Sequence, residues 1–186
     1  MLLLRHPALT ALRRVKVEDF PLVDAFHQRC SSAHLLRRWG RTHLPHGTLG
    51  QLLEHADCWL GLGAGDEPLA LVCTGPVSRE AGVFDLGLQV ADAHQRRGIG
   101  TALARHAAQY AHARGARTLS TYTEASNRPM LRLLRRLGPV RETRHGPHLA
   151  VRLHLGVSGL AHRTSPHSKE PLYAPQRSGQ EGSDPA

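Results

Sequence analysis

One stretch of the chain combines the residue types that a phosphate-binding turn needs. Residues 86–101 have the sequence LGLQVADAHQRRGIGT, an apolar strand pattern followed by a basic turn and then by a helical pattern. The first amides of a helix have no partner within the helix, and the helix dipole places partial positive charge there. Gly98 and Gly100 lack a Cβ, so a phosphate can approach these amides, and Arg96 and Arg97 add positive charge. The pattern predicts a diphosphate site, although similar glycine turns also join strands to helices without binding a ligand.

The spacing of apolar residues predicts the elements that position this turn. Strands are predicted at residues 12–17, 58–62, 69–73, 83–90, 119–123 and 148–154. Helices are predicted at residues 21–30, 101–114 and 127–137. A further helical run follows Ser31-Ser32, carries Leu35, Leu36 and Trp39, and ends at Gly40. After a loop at 45–50, Leu49, Leu52 and Leu53 start a short helix. Strands and helices in this order are typical of a mixed α/β domain, which we place at residues 12–155.

Length and composition favour one globular domain with a short remainder. The 186 residues are 40% hydrophobic and 21% charged, and no uncharged stretch approaches the roughly 20 apolar residues of a membrane helix. The opening residues lack the pattern of a secretory signal, and three cysteines without a CxxC pair fit a reducing cytoplasm. Residues 1–11 are expected to form an N-terminal extension, and residues 156–186, rich in Ser, Pro and Gly, a disordered tail.

Two motifs resemble those of the GNAT superfamily of N-acetyltransferases. The turn QRRGIG at residues 95–100 resembles the family's Q/R-x-x-G-x-G/A motif, and NRPMLRLLRRLG at residues 127–138 resembles its asparagine-led helix. The resemblance covers residues 12–155 and looks closest to a bacterial branch with NRPM at this helix, some members of which acetylate protein lysines. It implies a single α/β domain with the GNAT (acyl-CoA N-acyltransferase) fold, a mixed and mostly antiparallel sheet flanked by helices.

Acetyl-CoA is the cosubstrate that this resemblance implies. Its diphosphate would be held by the turn and the first helical residues, namely Gln95, Arg96, Arg97, Gly98, Ile99, Gly100 and Thr101. The pantetheine arm would run along Val90, with Asn127 near the thiol end. The strand backbone at Leu88, Gln89 and Val90 would donate to the oxyanion that forms when an amine attacks the thioester.

The resemblance also points to candidate bases, because an aliphatic amine is mostly protonated at neutral pH. Asp85 is the first candidate, since it lies ten residues before Gln95, where many GNAT members carry a glutamate. Being shorter than glutamate, it would act through a water molecule. Glu124, at the end of the next strand, is the second candidate. The alternatives are a structural or solvated carboxylate for Asp85 and a plain surface acid for Glu124.

The proton donor that the family usually has is missing from its expected position. GNAT members carry a tyrosine seven residues after the asparagine, and here that residue is Leu134. Tyr122, Ser126 or water would then protonate the leaving thiolate, unless Tyr122 only packs at one end of the sheet.

Metal and nucleic-acid binding lack supporting patterns. The pairs His43-x-x-His46 and His145-x-x-His148 have no cysteine or acidic partner at ligand spacing, so we expect no metal. A net charge of +9 suits nucleic acid, but aromatic residues make up only 4% of the chain and are not interleaved with the basic ones.

These observations predict an acyltransferase that moves the acetyl group of acetyl-CoA to a primary amine, on a protein or a small molecule, by direct attack in a ternary complex. The alternative is a CoA-binding regulatory module with little or no turnover, because Leu134 replaces the usual proton donor. The sequence does not identify the amine, and it leaves open whether the protein is a homodimer.

Overall fold

Strands and helices account for most of the described chain. The computed structural model describes residues 6–156, so residues 1–5 and all but the first residue of the predicted tail lie outside the described part. The strands are β1 Ala11–Arg14, β2 Asp57–Leu62, β3 Pro68–Pro76, β4 Val83–Val90, β5 Thr118–Glu124, β6 Val140–His145 and β7 His148–His154. The helices are α1 Phe20–Gln28, α2 Ser32–Trp39, α3 His46–His55, α4 Ile99–Ala113 and α5 Arg128–Leu137.

All seven strands form one sheet, in the order β1-β2-β3-β4-β5-β7-β6. Every neighbouring pair is antiparallel except β4 and β5, which are parallel. The parallel pairing extends over only three residue pairs and ends where Asp85 meets Ser120. Beyond that point the two strands are no longer paired, although each is still paired with its other neighbour. The sheet therefore opens between the second half of β4 and the second half of β5.

Helices cover the two faces of the sheet and form two apolar clusters. On one face, α4 packs its small side chains Ala104, Ala107 and Ala108 against β3 and β4, and α5 lies beside it. On the other face, α1 and α3 pack on β2 and β3, with Phe26 fully buried in that cluster. Because β3 is covered on both faces, it is a continuous apolar run rather than an alternating one.

The three cysteines belong to the second cluster. Cys58 on β2 and Cys73 on β3 face each other across the strand pair, and Cys30 lies two residues after the end of α1. All three side chains are buried and none forms a disulfide. A hydrogen bond to Cys73 and burial together raise the pKa of the Cys58 thiol. Burial also raises the pKa of the Cys30 thiol. All three cysteines act as packing groups in this cluster.

The predicted single α/β domain with a mixed, mostly antiparallel sheet is confirmed, but three details of the prediction were wrong. Strand β6 was missed, because five of its six side chains are exposed and it has no alternating apolar pattern. Helix α3 begins at His46, not at Leu49, so most of the expected loop at 45–50 is helical. Strand β1 ends at Arg14. Among the described residues, none of the helices is both long and apolar enough to cross a membrane.

Candidate functional site

A cleft of about 620 Å³ lies where the sheet opens between β4 and β5, and we call it the β4–β5 cleft. Its walls come from α2, the second half of β4, the turn before α4, the start of α4, the second half of β5 and one side of α5. Most of the predicted cofactor residues line it, namely Leu88, Gln89, Val90, Gln95, Arg96, Gly98, Gly100, Thr101 and Asn127. The structure thus brings together two sequence motifs that are about thirty residues apart along the chain.

Two of the predicted cofactor residues do not line the cleft with their side chains. Ile99 is 1% exposed and packs in the α4 core, and the exposed Arg97 side chain lies outside the cleft wall. The backbone amides of both residues nevertheless belong to the turn. Their predicted role is therefore confined to the main chain.

The turn between β4 and α4 leaves its backbone amides without hydrogen-bond partners among the described residues. Arg96 and Gly98 have φ values of +60° and +87°, so the chain bends sharply just before the first residue of α4. No acceptor among residues 6–156 receives a hydrogen bond from the amides of residues 97–101. Consecutive unsatisfied amides at a helix N-terminus form a concave site for an anion.

Gln95 fixes the entrance to this turn. Its side-chain Nε2 donates to the carbonyl oxygen of Val90 over 3.0 Å and lies 3.2 Å from Nδ1 of His34. The side-chain amide of Gln95 therefore holds together the loop that connects β4 to α4, and it links that loop to α2. Its polar side chain is a structural clamp.

The beginning of the described chain packs against the same turn, which no sequence pattern had indicated. Nδ1 of His6 accepts from the amide of Ala8 over 3.2 Å, so Nε2 is the protonated nitrogen and donates to the carbonyl of Arg97 over 2.6 Å. Leu9 is buried in the α4 cluster. Part of the segment predicted as an N-terminal extension therefore supports the turn from outside.

Helix α2 supplies a basic wall that the sequence analysis also missed. His34, Arg37 and Arg38 line the cleft, and their spacing of three and four residues puts them on one side of the helix. The helix start is tied to the loop before the turn, because the amide of Ser31 donates to Asp92 over 2.7 Å. The spacing of these basic residues was the available signal, but a cationic helix face is usually just solvated.

Arg38 lies directly over Gly87 of β4. A Cβ at position 87 would collide with the Arg38 guanidinium, whose Nε lies 3.1 Å from the place where that Cβ would stand. The glycine thus makes room for the arginine. Arg38 also stacks on the ring of Trp39, with its Cζ 4.3 Å from the ring centroid, which holds the side chain across the strand.

The cleft wall is strongly basic. It contains five arginines and no aspartate or glutamate among the described residues. These are Arg37 and Arg38 from α2, Arg96 from the turn, and Arg132 and Arg136 from α5. A wall of this composition suits a ligand with several negative charges.

The backbone of β4 also directs donors into the cleft. The amide of Ala91 donates to Leu69 of β3, so alternate residues of β4 point their backbone groups to β3. Leu88 and Val90 therefore direct their backbone amides and carbonyls to the other side, where β4 and β5 are no longer paired. Their two amides are thus free to donate to a ligand in the cleft, which is the geometry that an oxyanion-binding role would require.

The first candidate base, Asp85, lies at the point where β4 and β5 part. It is opposite Ser120 on β5 and opposite Gly75 on β3, with its side chain exposed on the α2 face of the sheet. The protein around the carboxyl restricts its solvation and raises its pKa, and the positive charge of Arg38 opposes this change. Asp85 does not form part of the cleft wall itself.

The other proton-transfer candidates occupy different environments. Glu124 lies at the far end of β5, outside the cleft wall, and accepts a hydrogen bond from Ser126 over 2.9 Å. Tyr122 lines the cleft, is 60% exposed and stacks on His148 with ring centroids 5.1 Å apart. Leu134 is 2% exposed in the α4 cluster, so the position of the family's tyrosine offers only hydrocarbon.

Asn127 is the N-cap of α5. Its Oδ1 accepts from the amide of Met130 over 3.4 Å, and its Nδ2 donates to the hydroxyl of Thr123 on β5 over 2.9 Å.

We expect Asn127→Ala to lower the free energy of unfolding by about 1 kcal/mol, and the melting temperature by roughly 2–4 °C. Thermal unfolding checks this. Asn127→Asp, which keeps the cap acceptor, and Ser126→Ala, next to it, should melt close to the parent; equal losses in all three variants would contradict the capping role.

Comparison with known proteins agrees with this geometry. Residues 12–138 match the family model described as Acetyltransferase (GNAT) family. The fold is similar to the GNAT domain of S. lividans PAT, with a TM-score of 0.68 and 21% identity over 77% of this chain and 89% of that one. It is also similar to the ribosomal-protein-S18-alanine N-acetyltransferase from Escherichia coli, with a TM-score of 0.63 and 20% identity over 80% of this chain and 96% of that one. No curated protein sequence matches the chain. Because the family model covers well over half of its length, the chain belongs to the GNAT family of acetyltransferases.

Proposed function

We propose that the protein transfers the acetyl group of acetyl-CoA to a primary amine, by direct attack of the amine while both substrates are bound. The observation that carries this proposal concerns the described part of the chain, residues 6–156. There, the amides of residues 97–101 have no acceptor, and the wall of the adjoining cleft holds five arginines and no acid. Membership of an acetyltransferase family adds independent support.

The residues of the cleft fit the three parts of CoA. The amides of residues 97–101 and the Arg96 guanidinium would hold the diphosphate, since both favour negative charge. Arg132 and Arg136 on α5 would meet the remaining phosphate. Leu88 and Val90 would run beside the pantetheine arm. When bound, acetyl-CoA supplies a thioester carbonyl that an amine can attack.

The residues around the opening of the sheet would then promote acyl transfer. The amides of Leu88 and Val90 would donate to the carbonyl oxygen as negative charge develops on it. Asp85 would accept the amine proton through a water molecule, and its raised pKa makes it a stronger base than an ordinary aspartate. The carbon–nitrogen bond forms as the carbon–sulfur bond breaks, and the sulfur leaves as a thiolate.

No side chain is needed to protonate that thiolate. A thiol has a pKa near 8.5, so the thiolate is already a fair leaving group. Tyr122, which lines the cleft and is open to solvent, is the phenol best placed among the sequence candidates to donate a proton. In the proposed reaction, Tyr122 or bulk water would supply this proton, although the thiolate can also leave without it.

A CoA-binding regulatory module is the second candidate, and the buried Leu134 is the observation that favours it. Two measurements separate the candidates. Calorimetry with acetyl-CoA should show binding under either one, whereas absence of heat at millimolar ligand rejects both. If the protein is an enzyme, incubation with acetyl-CoA and a mixed pool of amines should release CoA and acetylate an amine. Mass spectrometry should then show a gain of 42 Da, about one acetyl group per acceptor site. Binding without any release above the blank would favour the regulatory module.

A further inference from the structure

One face of β4 carries two opposite charges at the point where the sheet opens. Successive side chains of a strand alternate between its two faces, so Asp85 and Gly87 lie on the same face, about 7 Å apart. The guanidinium of Arg38 occupies the space above Gly87 that a side chain would otherwise fill. A carboxylate and a guanidinium therefore lie next to each other where the proposed reaction would deprotonate the amine.

The Arg38 guanidinium is held in position, but its charge has no partner within residues 6–156. Its side chain is half-buried and stacks on the ring of Trp39. None of the hydrogen bonds and salt bridges that the arginines form in this part of the chain involves Arg38, and none joins it to Asp85. A guanidinium presents paired N–H groups that match the two oxygens of one carboxylate. Arg38 is therefore an oriented donor for a carboxylate beside the proposed base.

The location of Arg38 separates it from the groups proposed to hold the phosphates of CoA. Those groups are the amides of residues 97–101, Arg96 and the two arginines of α5. Arg38 instead enters the cleft from α2 and lies over the residue just before Leu88, whose amide would face the thioester carbonyl. Its charge also opposes the rise in the pKa of Asp85. Arg38 is thus at the reacting end of the cleft.

We propose that the amine acceptor is a free α-amino acid, whose carboxylate binds Arg38 while its amino group faces Asp85. The inference rests on the proposed function and names the acceptor class for the same site. In an α-amino acid the nitrogen and the carboxyl carbon are only about 2.5 Å apart, so both groups can meet neighbouring side chains on one strand face. The zwitterion carries the two charges that this pair of residues complements. A lysine side chain or the amino terminus of a peptide lacks the adjacent carboxylate.

The basic wall of the cleft favours the same acceptor class. The wall holds five arginines and, within the described chain, no acid, so a simple amine or a polyamine would bring positive charge to positive charge. The carboxylate of an amino acid offsets this repulsion. The free guanidinium of Arg38 thus selects for an acceptor that carries its own negative charge.

The transfer step follows from this placement of the two charged groups. The ammonium group gives one proton to Asp85 through a water molecule, and the neutral nitrogen attacks the thioester carbon. The carbon–nitrogen bond forms, the carbon–sulfur bond breaks with its electron pair on sulfur, and the second nitrogen proton passes to the thiolate or to water. The products are an N-acetyl amino acid and CoA, and the proton on Asp85 returns to solvent.

Acetylation of amino acids and their carboxamides by the full-length protein tests the proposal. The common α-amino acids are screened as a pool, and each one that is acetylated is compared with its own carboxamide, which lacks the charged carboxylate. We expect kcat/KM for the acid to exceed that for the amide roughly 10–100-fold, because a charge-assisted contact is lost. The amine of the amide loses its proton more easily, so intrinsic reactivity opposes this preference. Spermidine, and a peptide blocked at both ends with one central lysine, complete the set.

Substitutions at Arg38 and Gly87 supply the second arm. Arg38→Gln should reduce the preference for the acid to a few-fold or less, and Arg38→Lys, which keeps the charge but not the paired donors, should retain part of it. Gly87→Ala should also reduce the preference, because the added Cβ would displace the flexible end of Arg38 without removing it. Acetyl-CoA affinity, measured by calorimetry, should stay within a few-fold in the Arg38 variants. Arg41→Gln, exposed and outside the cleft wall, is the matched control and should keep the preference.

Several outcomes would overturn the acceptor assignment. They are no acetylation of any amino acid, equal rates for acids and amides, a preference for the amides, the lysine peptide or spermidine, and an unaltered preference in Arg38→Gln. A large loss of acetyl-CoA affinity in Arg38→Gln would assign this arginine to CoA and would also overturn it. Turnover with any of the amines leaves the proposed function intact, whereas failure to bind acetyl-CoA removes both.

Discussion

Gly98→Ala is expected to weaken acetyl-CoA binding by roughly 10–100-fold, because charge-assisted hydrogen bonds from the turn amides would be lost. Gly98 has a φ of +87°, which an L-residue adopts only with strain. A Cβ there would also lie 3.2 Å from Nε2 of His6, the ring that holds the Arg97 carbonyl. The turn must therefore shift, and its amides would no longer converge on one anion. Calorimetric titration with acetyl-CoA measures the effect.

Gly115→Ala is the matched control for this change. Gly115 follows the other end of α4, has a φ of +86° and has no atom within 4 Å of the added Cβ. The backbone strain of the two variants is thus nearly the same, about 1–2 kcal/mol, but only one of them lies in the turn. We expect similar losses of stability and normal acetyl-CoA affinity in Gly115→Ala. Comparable affinity in both variants would mean that the turn does not hold the diphosphate.

Asp85→Asn is expected to lower kcat about 100-fold or more while acetyl-CoA affinity stays the same. The carboxyl lies where β4 and β5 part, and the amide that replaces it cannot accept the amine proton. In the parent protein, kcat/KM should fall as the pH drops through the raised pKa of Asp85, because only the carboxylate accepts a proton. A pH–rate profile of both proteins checks the assignment. Glu124→Gln is the control, and a large loss of kcat in that variant but not in Asp85→Asn would transfer the role of base to Glu124.

The same substitution should not cost stability near neutral pH. Because the folded protein raises the pKa of Asp85, the native state favours the protonated carboxyl. The stability gained from this group is full below the ordinary aspartate pKa and is lost as the pH rises through the folded value. Asparagine does not ionise, so the variant avoids that loss. Urea unfolding at pH 4 and pH 7 should show that the free energy of unfolding of the variant, relative to the parent, is higher at pH 7 than at pH 4. A relative decrease at pH 7 would contradict this account.

The parts of the site that could be predicted from the sequence are those encoded by neighbouring residues. The turn around Gly98 and Gly100 is a local pattern between a strand and a helix, and Asn127 stands at the start of a helix marked by a following proline. Strand β4 alternates clearly, so the face that carries Asp85 was also legible. Each of these features depends on fewer than about twenty consecutive residues.

The remaining parts depend on contacts between distant segments. His6 reaches the turn across 91 positions, and nothing in the residues around it marks that contact. Arg38 needs the space left by Gly87, which requires the packing of α2 on β4. The strand order, in which β7 lies between β5 and β6, brings together segments that are far apart along the chain. Strand β6 itself has a polar edge-strand composition, so periodicity did not reveal it.

The burial of the three cysteines has a practical consequence for kinetic work. A disulfide reagent in water reaches only exposed thiolates, and Cys30, Cys58 and Cys73 are buried in the folded chain. A continuous colorimetric assay for the free thiol of CoA should therefore have little background signal from the protein's own thiols. The same reagent would modify the cysteines only when the apolar cluster that contains them opens. A slow rise in colour in the absence of an acceptor amine therefore measures the rate of unfolding.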